Sequence, residues 1–358
     1  MNQSHDLVLI TGNRSGDLDS LVSSYVKGTL LSLKEKKNKQ VFILFHFPEK
    51  EWKLHPEAQF LFRGKDIFRE NIIFLDDLKT LNLEKLSEED RLQIILTDHN
   101  RPEEILIPFA GSIVEIIDHH EVVSPLAEKI QKVIHNTGSC STLVAEQFLE
   151  ELKRNPASFS QNQIPFIADL LYFTIRIDTD HLEENTFFDL QKDRHVLERL
   201  LPHISLPEQF LNQLRKKKMD FSDFTLEDHF SKDFKAWESG EITYGISTVY
   251  IDRETFFTME KSSPSAEKFL KKKRIGILFL MHFLKEPILK RELTVFIPGV
   301  FPYKEEILKA ISDSDLFEDI QWNSNENMYF FSQLDPRLSR KKIQPFIEAL
   351  LKEIKDLK

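Results

Sequence analysis

Three side chains that can bind a metal ion or move a proton stand side by side at Asp118, His119 and His120. They lie in the stretch EIIDHHE, residues 115–121, directly after two isoleucines. Adjacent histidines after a buried strand contribute little to packing, whereas carboxylate and imidazole groups are common ligands of divalent cations. The stretch therefore predicts a metal site with acid–base chemistry.

Two other apolar runs end in the same residue types. Because the carboxyl ends of parallel strands meet at one edge of a sheet, we expect all three groups to converge there. Taken singly, an aspartate after the first run also suits a helix N-cap, and the group after the second run suits a turn. The residues are Asn13, Asp17 and Asp19 after the run at 7–12, and Asp98, His99 and Asn100 after the run at 92–97.

The donors in these segments are oxygen and imidazole nitrogen, and the single cysteine, Cys140, excludes a thiolate cluster within one chain. Carboxylates with one or two imidazoles favour Mn²⁺ or Mg²⁺, with Co²⁺ or Zn²⁺ as alternatives. Several aspartates suggest two ions that share a bridging carboxylate. Asp178 or Asp180 completes the predicted ligand set, and Asp178 is preferred because it directly follows an apolar run.

Two segments suit phosphate binding. Residues 135–147, HNTGSCSTLVAEQ, form a Gly/Ser/Thr turn that opens a helix, and its N–H groups together with Ser139 could receive an anion. An ordinary Ser/Thr helix cap explains the same pattern. Residues 339–342, SRKK, place positive charge at a helix N-terminus, which a bound anion would stabilise, although a solvated basic run also explains it.

Almost continuously apolar runs in the first half indicate a mainly parallel sheet flanked by helices, an α/β fold. Residues 215–225 are charged without apolar periodicity, which predicts a linker between an N-terminal domain at 1–214 and a smaller C-terminal α+β domain at 226–358. Predicted strands lie at 7–12, 41–47, 71–77, 92–98, 112–118, 128–134, 242–250, 275–284, 291–298 and 327–332. Predicted helices lie at 139–153, 164–177, 190–201, 206–218, 263–273, 303–312 and 340–357, with one more beginning at 17.

Charge and hydropathy limit the partners. The 358 residues carry a net charge of −10, divided into −11 for residues 1–210 and +1 for residues 211–358, so we expect no stable nucleic-acid complex. No apolar segment approaches the length that spans a bilayer, and the N-terminus lacks the basic start of a secretory signal. With one cysteine in the chain, these features predict a cytoplasmic protein without a membrane partner.

Taken together, the motifs resemble the DHH phosphoesterase superfamily, in the branch with a DHHA2-type accessory domain. That branch contains the manganese-dependent (family II) inorganic pyrophosphatases, the exopolyphosphatases and the Prune-like proteins. The resemblance covers most of the chain. Its motifs are GNRSGDLDS, TDHN, IIDHH, GSCSTLV and RIDTD in the first half, and KDFK and LSRKK in the second.

The resemblance implies a role for each motif residue. Asp98, His119 and His120 would form the catalytic centre, in which Asp98 bridges two ions and His120 faces the scissile phosphate. Asp118 and His99 would support these residues from behind. The implied metal ligands are Asp17, Asp19, Asp98, His119 and Asp178, with Asn13 as a weak additional ligand, and the implied substrate contacts are His120, Ser139, Lys235, Arg340 and Lys341.

Asn13 distinguishes between the branches. The pyrophosphatases carry His at this position, whereas the exopolyphosphatases resemble this chain, with a G-N-x-S-x-D-L-D-S loop. We therefore expect an exopolyphosphatase that releases terminal phosphate from inorganic polyphosphate through a hydroxide activated by two Mn²⁺ or Mg²⁺ ions. The alternatives are an inorganic pyrophosphatase, a nucleotide phosphodiesterase and a Prune-like regulatory protein with weak hydrolase activity.

Overall fold

A computed structural model of the chain describes residues 6–34, 39–62, 71–122, 127–179, 190–259, 262–284, 289–320 and 327–356. The chain divides into two compact units, Met1–Lys218 and Met219–Lys358. Each unit is built around one six-stranded sheet. Every predicted site residue lies in a described range except Asp180, the alternative to Asp178, which lies outside them.

The sheet of the first unit is entirely parallel. Its strands are β1 (Asp6–Thr11), β2 (Lys39–Phe45), β3 (Ile72–Phe74), β4 (Leu92–Thr97), β5 (Ile113–Asp118) and β6 (Gln131–Ile134). Their order is β3-β2-β1-β4-β5-β6, so the direction of winding reverses between β1 and β4. In open α/β sheets, this reversal opens a crevice at the carboxyl ends of the strands, where ligands bind.

Helices cover both faces of this sheet, which explains why its central strands are apolar at nearly every position. On one face α1, α4 and α5 share a core that includes Val22, Phe148 and Phe173, and on the other α3 packs with Leu106 and Phe109. The helices are α1 (Leu18–Lys34), α2 (Pro56–Leu61), α3 (Leu83–Glu88), α4 (Cys140–Arg154), α5 (Gln163–Asp178), α6 (Leu190–Leu200) and α7 (Gln209–Lys218).

The turn from β1 into α1 is tight, and its sequence explains why. Asp17 caps α1, because its Oδ1 accepts the Ser20 N–H at 3.1 Å. Gly12 lets the chain fold back on this turn, since a Cβ at that position would lie 2.8 Å from the Ser20 Cβ. The turn thereby brings Asn13 and the first turn of α1 to the crevice beside β4.

The second unit has a mixed sheet in the order β11-β12-β10-β9-β8-β7, in which β8 and β9 are parallel and the other neighbours antiparallel. Residues of β9 alternate between two cores: Phe279 and Met281 pack with α11 and α12, and Leu278 and Leu280 pack with α8 and α10. The elements are β7 (Phe234–Ser239), β8 (Ile242–Val249), β9 (Ile277–Leu284), β10 (Lys290–Phe296), β11 (Phe317–Ile320), β12 (Met328–Gln333), α8 (Leu226–Ser231), α9 (Arg253–Thr258), α10 (Ser262–Lys273), α11 (Lys304–Ser312) and α12 (Arg340–Asp356).

The predicted fold class is confirmed for both halves of the chain. The structure adds the strands β7 and β11 and the short helices α2, α3, α8 and α9 to the predicted elements. The end of α7 at Lys218 agrees with the predicted helix and overlaps the first four residues of the segment predicted as a linker. Leu211 and Leu214 are buried on α7, and the basic residues 215–218 occupy its last turn, where they complement the helix dipole. Within the described ranges, the helices are too short or too polar to cross a bilayer.

Candidate metal centre

Asp98 follows β4 directly, in a left-handed conformation with φ of 63°, which is uncommon for a residue with a side chain. The side chain is buried, and its Oδ2 accepts hydrogen bonds from Asn13 Nδ2 at 2.8 Å and Ser20 Oγ at 2.7 Å. Its Oδ1 accepts no hydrogen bond from the residues that the structure describes. A buried carboxylate oxygen without a donor is unfavourable, so Oδ1 is a candidate metal ligand.

The imidazole of His119 is directed at the same carboxylate oxygen, Asp98 Oδ1. Its Nδ1 lies 2.8 Å from the Thr137 carbonyl oxygen, so we place the proton on Nδ1, which donates. Nε2 then turns its lone pair towards Asp98 Oδ1 at 3.2 Å and Asp19 Oδ2 at 3.9 Å. Three electron-rich atoms facing one another repel unless a proton or a cation lies between them. This arrangement is typical of a metal-binding imidazole whose second nitrogen is held by a backbone carbonyl.

Asp19, in the first turn of α1, is bound by the N-terminus of α4. The N–H groups of Cys140 and Ser141 donate to its oxygens at 2.6 and 2.7 Å, and the hydroxyl of Ser139 donates at 2.8 Å. Burial raises the pKa of Asp19, but the charge of His119 and the hydrogen bonds from the Ser141 and Ser139 hydroxyls lower it by more, so the net shift is downwards. The turn predicted to receive substrate phosphate therefore holds a carboxylate of the same chain, and the buried Ser139 contributes to that contact.

Asp118 and His120 form a hydrogen-bonded pair next to Asp98. Asp118 is fully buried, and its Oδ1 accepts the His120 Nδ1 at 2.8 Å and the His119 N–H at 2.8 Å. The His120 side chain is 55% exposed, so its other ring nitrogen is available to a ligand. The hydrogen bond to Asp118 raises the pKa of His120 despite partial burial, which favours a protonated, donating imidazole at neutral pH.

Asp17 and Asp178 complete the acidic group. Asp178 ends α5 and shares a hydrogen bond with the Asp19 carboxyl group. Withdrawal from water, followed by the charges of Asp19 and Asp17, raises the pKa of Asp178 well above its usual value. Both Asp17 and Asp178 keep exposed surface, so we attribute most of this shift to repulsion between carboxylates. Lys218, in the predicted linker, offsets the charge of both and carries no motif that would have revealed it.

The carboxylates of the cluster outnumber its cationic groups. Burial, followed by Asp17 and Asp19, raises the pKa of Asp98 to about 8. Burial lowers the pKa of His119, but Asp98 and Asp19 raise it by more, so the imidazole is driven towards its cationic form. Donor atoms of Asp98, His119 and His120 lie within 4.8 Å of one another. Oxygen and imidazole donors, an unpartnered oxygen and a negative field together fit a divalent cation.

The remaining sequence-predicted residues of this unit lie around the cluster. Asn13 donates its amide nitrogen to Asp98, and its oxygen accepts the Ser15 N–H at 2.9 Å, so in this structure Asn13 orients Asp98. His99 Nδ1 lies 2.9 Å from the Thr97 carbonyl oxygen. Asn100, for which the sequence predicts no role of its own, donates its amide nitrogen to Asp118 Oδ2 at 2.6 Å. The TDHN motif was the signal for that contact.

The predicted phosphate contacts of the second unit differ in how they are held. Arg340 opens α12, and its guanidinium pairs with the Asp233 carboxylate at 2.9 Å and also donates to the Asp233 carbonyl. Lys235 on β7 and Lys341 on α12 are exposed. Arg340 is therefore already anchored within its own unit, whereas Lys341, at the next position of α12, is exposed.

Two family profiles match the chain. The DHH family N-terminal domain matches residues 7–175, and the DHHA2 domain matches residues 212–350. The first match contains the whole parallel sheet with Asp98 and His119, and the second contains the mixed sheet with Lys235 and Arg340.

Named relatives match along most of the chain. "Exopolyphosphatase PRUNE1" of Homo sapiens is 24% identical over 362 residues, which are 98% of this chain and 77% of that protein. "Manganese-dependent inorganic pyrophosphatase" of Methanocaldococcus jannaschii is 23% identical over 243 residues, 68% of this chain and 71% of that protein. A crystal structure described as a family II inorganic pyrophosphatase of Methanococcus jannaschii aligns with a TM-score of 0.57 at 21% identity, over 96% of this chain and 99% of that chain, and shows the same fold.

Proposed function

Since the chain belongs to the DHH family and carries a DHHA2 domain, we propose that it is a metal-dependent hydrolase of phosphoanhydrides whose main substrate is inorganic polyphosphate. One observation carries the proposal: the unpartnered Oδ1 of buried Asp98 faces His119 Nε2 at 3.2 Å. The human relative is named an exopolyphosphatase and the archaeal one a manganese-dependent pyrophosphatase, which supports this reaction class.

We propose that this edge of the sheet would hold two Mn²⁺ or Mg²⁺ ions, with Asp98 among their ligands, and Co²⁺ is an alternative. Such ions lower the pKa of bound water and neutralise phosphoryl oxygens. Asn13 and Ser20 orient Asp98, and the α4 N-terminus orients Asp19. The proposed ligands are Asp17, Asp19, Asp98, His119 and Asp178.

The other residues act on the phosphate chain. We propose that His120, held and kept protonated by Asp118, donates from its second ring nitrogen to the phosphate that is cleaved. Lys235, Arg340 and Lys341 would neutralise charge further along the chain, as basic groups do for phosphoryl oxygens. For Ser139 the structure supports a role in holding Asp19 more than the substrate contact expected from sequence.

A second candidate is a regulatory protein with weak hydrolase activity. The observation that favours it is Asn13, at the position where the resemblance to the pyrophosphatases implies a histidine, since its amide nitrogen donates to Asp98. We also propose a cytoplasmic location, in view of the single cysteine, and no nucleic-acid partner, in view of the net charge of −10.

The test is phosphate release by the full chain in Mn²⁺ and in Mg²⁺ from long polyphosphate, tripolyphosphate, pyrophosphate and a cyclic nucleotide. We expect polyphosphate to be cleaved fastest, and Asp98→Ala to lower the rate on the order of 10³-fold, because several kcal/mol of charge stabilisation are lost. Asp313→Ala, on the exposed surface of the second unit, is the control. Equal rates for wild type and Asp98→Ala would overturn the proposal.

Elemental analysis of the purified chain separates the two candidate functions. About two ions per wild-type chain, and a loss of metal in Asp98→Ala, are expected of the hydrolase. A chain that holds no ion after dialysis against micromolar Mn²⁺ and releases no phosphate would favour the regulatory protein.

A further inference from the structure

Residues 137–142, the α4 turn, contact two members of the proposed metal centre at once. The Thr137 carbonyl accepts the proton on His119 Nδ1, while the N–H groups of Cys140 and Ser141 donate to Asp19. Every residue of the α4 turn is buried. Its position therefore determines the direction of an imidazole and of a carboxylate together.

Asp193, in α6, accepts hydrogen bonds from two residues of the α4 turn. Its Oδ2 accepts the Gly138 N–H at 2.9 Å, and its Oδ1 accepts the Thr142 hydroxyl at 2.5 Å. Asp193 is 0% exposed, so these bonds are shielded from water. Glycine at 138 allows the close approach, because a Cβ there would lie 2.5 Å from Thr179 Cγ2 and 2.9 Å from Leu190 Cδ2.

We propose that Asp193 is a positioning residue of the metal centre, which acts through the α4 turn to aim Asp19 and His119 at a shared cation. The inference rests on the proposed function, because it requires that the cluster bind a divalent ion. A carboxylate suits this position because both of its oxygens accept from a donor, whereas asparagine would present an NH₂ group to one of those donors.

The test is the affinity of the full-length chain for Mn²⁺, measured from the electron paramagnetic resonance signal of free Mn²⁺ during titration. We expect Asp193→Asn to weaken Mn²⁺ binding by about 10–100-fold, the range typical of groups that orient metal ligands. The matched control is Asp169→Asn, since Asp169 is also a buried carboxylate that holds a loop, through Ser205 and Leu206. Asp169→Asn should keep the wild-type affinity within about threefold.

A milder pair of variants keeps the test decisive if Asp193→Asn folds poorly. Thr142→Val removes the hydroxyl that bonds Asp193 at nearly constant volume, and Thr142→Ser retains it. We expect Thr142→Val to weaken Mn²⁺ binding about fivefold, as the loss of one hydrogen bond does, and Thr142→Ser to stay within about twofold of wild type. Circular dichroism in EDTA verifies that each variant is folded before the titration.

The outcomes separate this inference from the proposed function. If wild type binds Mn²⁺ and Asp193→Asn binds it equally well, or if Asp169→Asn loses as much affinity as Asp193→Asn, the positioning role is overturned and the metal centre stands. If Thr142→Val and Thr142→Ser weaken Mn²⁺ binding equally, the proposed contribution of the Thr142 hydroxyl is overturned. If wild type itself binds no Mn²⁺, the proposed function is overturned as well.

Discussion

The two units each bury a histidine at the sheet, and they treat it in opposite ways. His282 in the second unit pairs both ring nitrogens, Nδ1 with the Ile251 carbonyl at 2.9 Å and Nε2 with the Thr294 hydroxyl at 2.7 Å. His119 in the first unit pairs Nδ1 with a carbonyl and turns Nε2 towards the carboxylates of Asp98 and Asp19.

The two environments distinguish a histidine that stabilises the fold from one that is placed to bind a ligand. A buried imidazole with satisfied partners stabilises its surroundings, because each bond replaces one lost to water. A buried imidazole whose lone pair faces carboxylate oxygens is unfavourable unless a proton or a bound cation lies between them, so such an arrangement indicates a ligand site. The pKa shifts follow the same division: burial lowers that of His282 to about 4, whereas Asp98 and Asp19 raise that of His119 against the effect of burial.

Replacing each histidine by glutamine tests whether His119 serves the metal site and His282 the stability of the fold, and it should give the largest effects. His119→Gln should lower phosphate release on the order of 10³-fold, because a proposed metal ligand is lost, yet shift the free energy of unfolding in EDTA by less than about 1 kcal/mol. His282→Gln should keep activity within about twofold and lose about 1–3 kcal/mol of stability, the penalty for unsatisfied buried polar groups. Urea unfolding in EDTA and phosphate release measure the two effects.

The reverse result would contradict the assignment. A large loss of stability in metal-free His119→Gln would mean that this imidazole holds the fold together, as His282 is expected to do. Wild-type Mn²⁺ affinity in the same variant would remove His119 from the ligand set.

The two adjacent histidines of the IIDHH motif, His119 and His120, should also differ in function. His120 is hydrogen bonded through Nδ1 to Asp118 and is largely exposed, so its loss should affect the substrate rather than the metal. We expect His120→Ala to lower kcat about 10²-fold, as the removal of a proton donor does, and to leave Mn²⁺ affinity within about threefold of wild type. A loss of Mn²⁺ affinity as large as that of His119→Gln would make His120 a ligand instead.

Much of the first unit could be predicted from sequence, for a physical reason. Strands buried on both faces are apolar throughout, so the runs around Ile10, Ile95 and Ile117 are legible without a structure. The polar residues that end such runs must lie at one edge of a parallel sheet. The convergence of Asp98 and His119 was predictable on the same ground.

The partners of those residues could not be predicted. The sequence predicts that the α4 turn opens a helix able to bind an anion, but nothing local specifies that the anion is Asp19, 120 residues earlier. Asp193 and Lys218 also carry no motif, because their contacts depend on how α6 and α7 pack. Periodicity locates elements, whereas contacts between distant elements depend on the tertiary arrangement.

The buried histidine of the second unit makes stability depend on pH. His282 has an ordinary pKa of 6.5 when unfolded and about 4 when folded, near Glu292, Arg253 and Asp252. The unfolded chain therefore binds the proton more tightly, so the stabilisation is full above pH 6.5 and is lost as pH falls towards 4. We expect a loss of about 3 kcal/mol over this range.

The measurement is the unfolding free energy in urea at a series of pH values, for wild type and His282→Gln. Other carboxylates titrate below pH 5 in both proteins, so only the difference between the two curves reports His282. That difference should shrink as the pH is lowered from 6.5 to 4. Parallel curves would show that the pKa of His282 is the same in the folded and unfolded chains, against the shift that burial should cause.

The smallest expected effect concerns the KM for polyphosphate and the exposed lysines of α12. Lys341 is exposed and Arg340 is paired with Asp233, so truncating Lys341 removes a charge without disturbing its unit. We expect Lys341→Ala to raise the KM for polyphosphate about fivefold at unchanged kcat, because an exposed charge contributes about 1 kcal/mol.

Lys342→Ala, one residue along and equally exposed, is the control. The gap between the two variants should shrink in 0.5 M salt, which screens a contact made at the surface. Equal KM values for the two variants at low salt would mean that Lys341 makes no specific contact with the phosphate chain and adds only to the general charge of the helix.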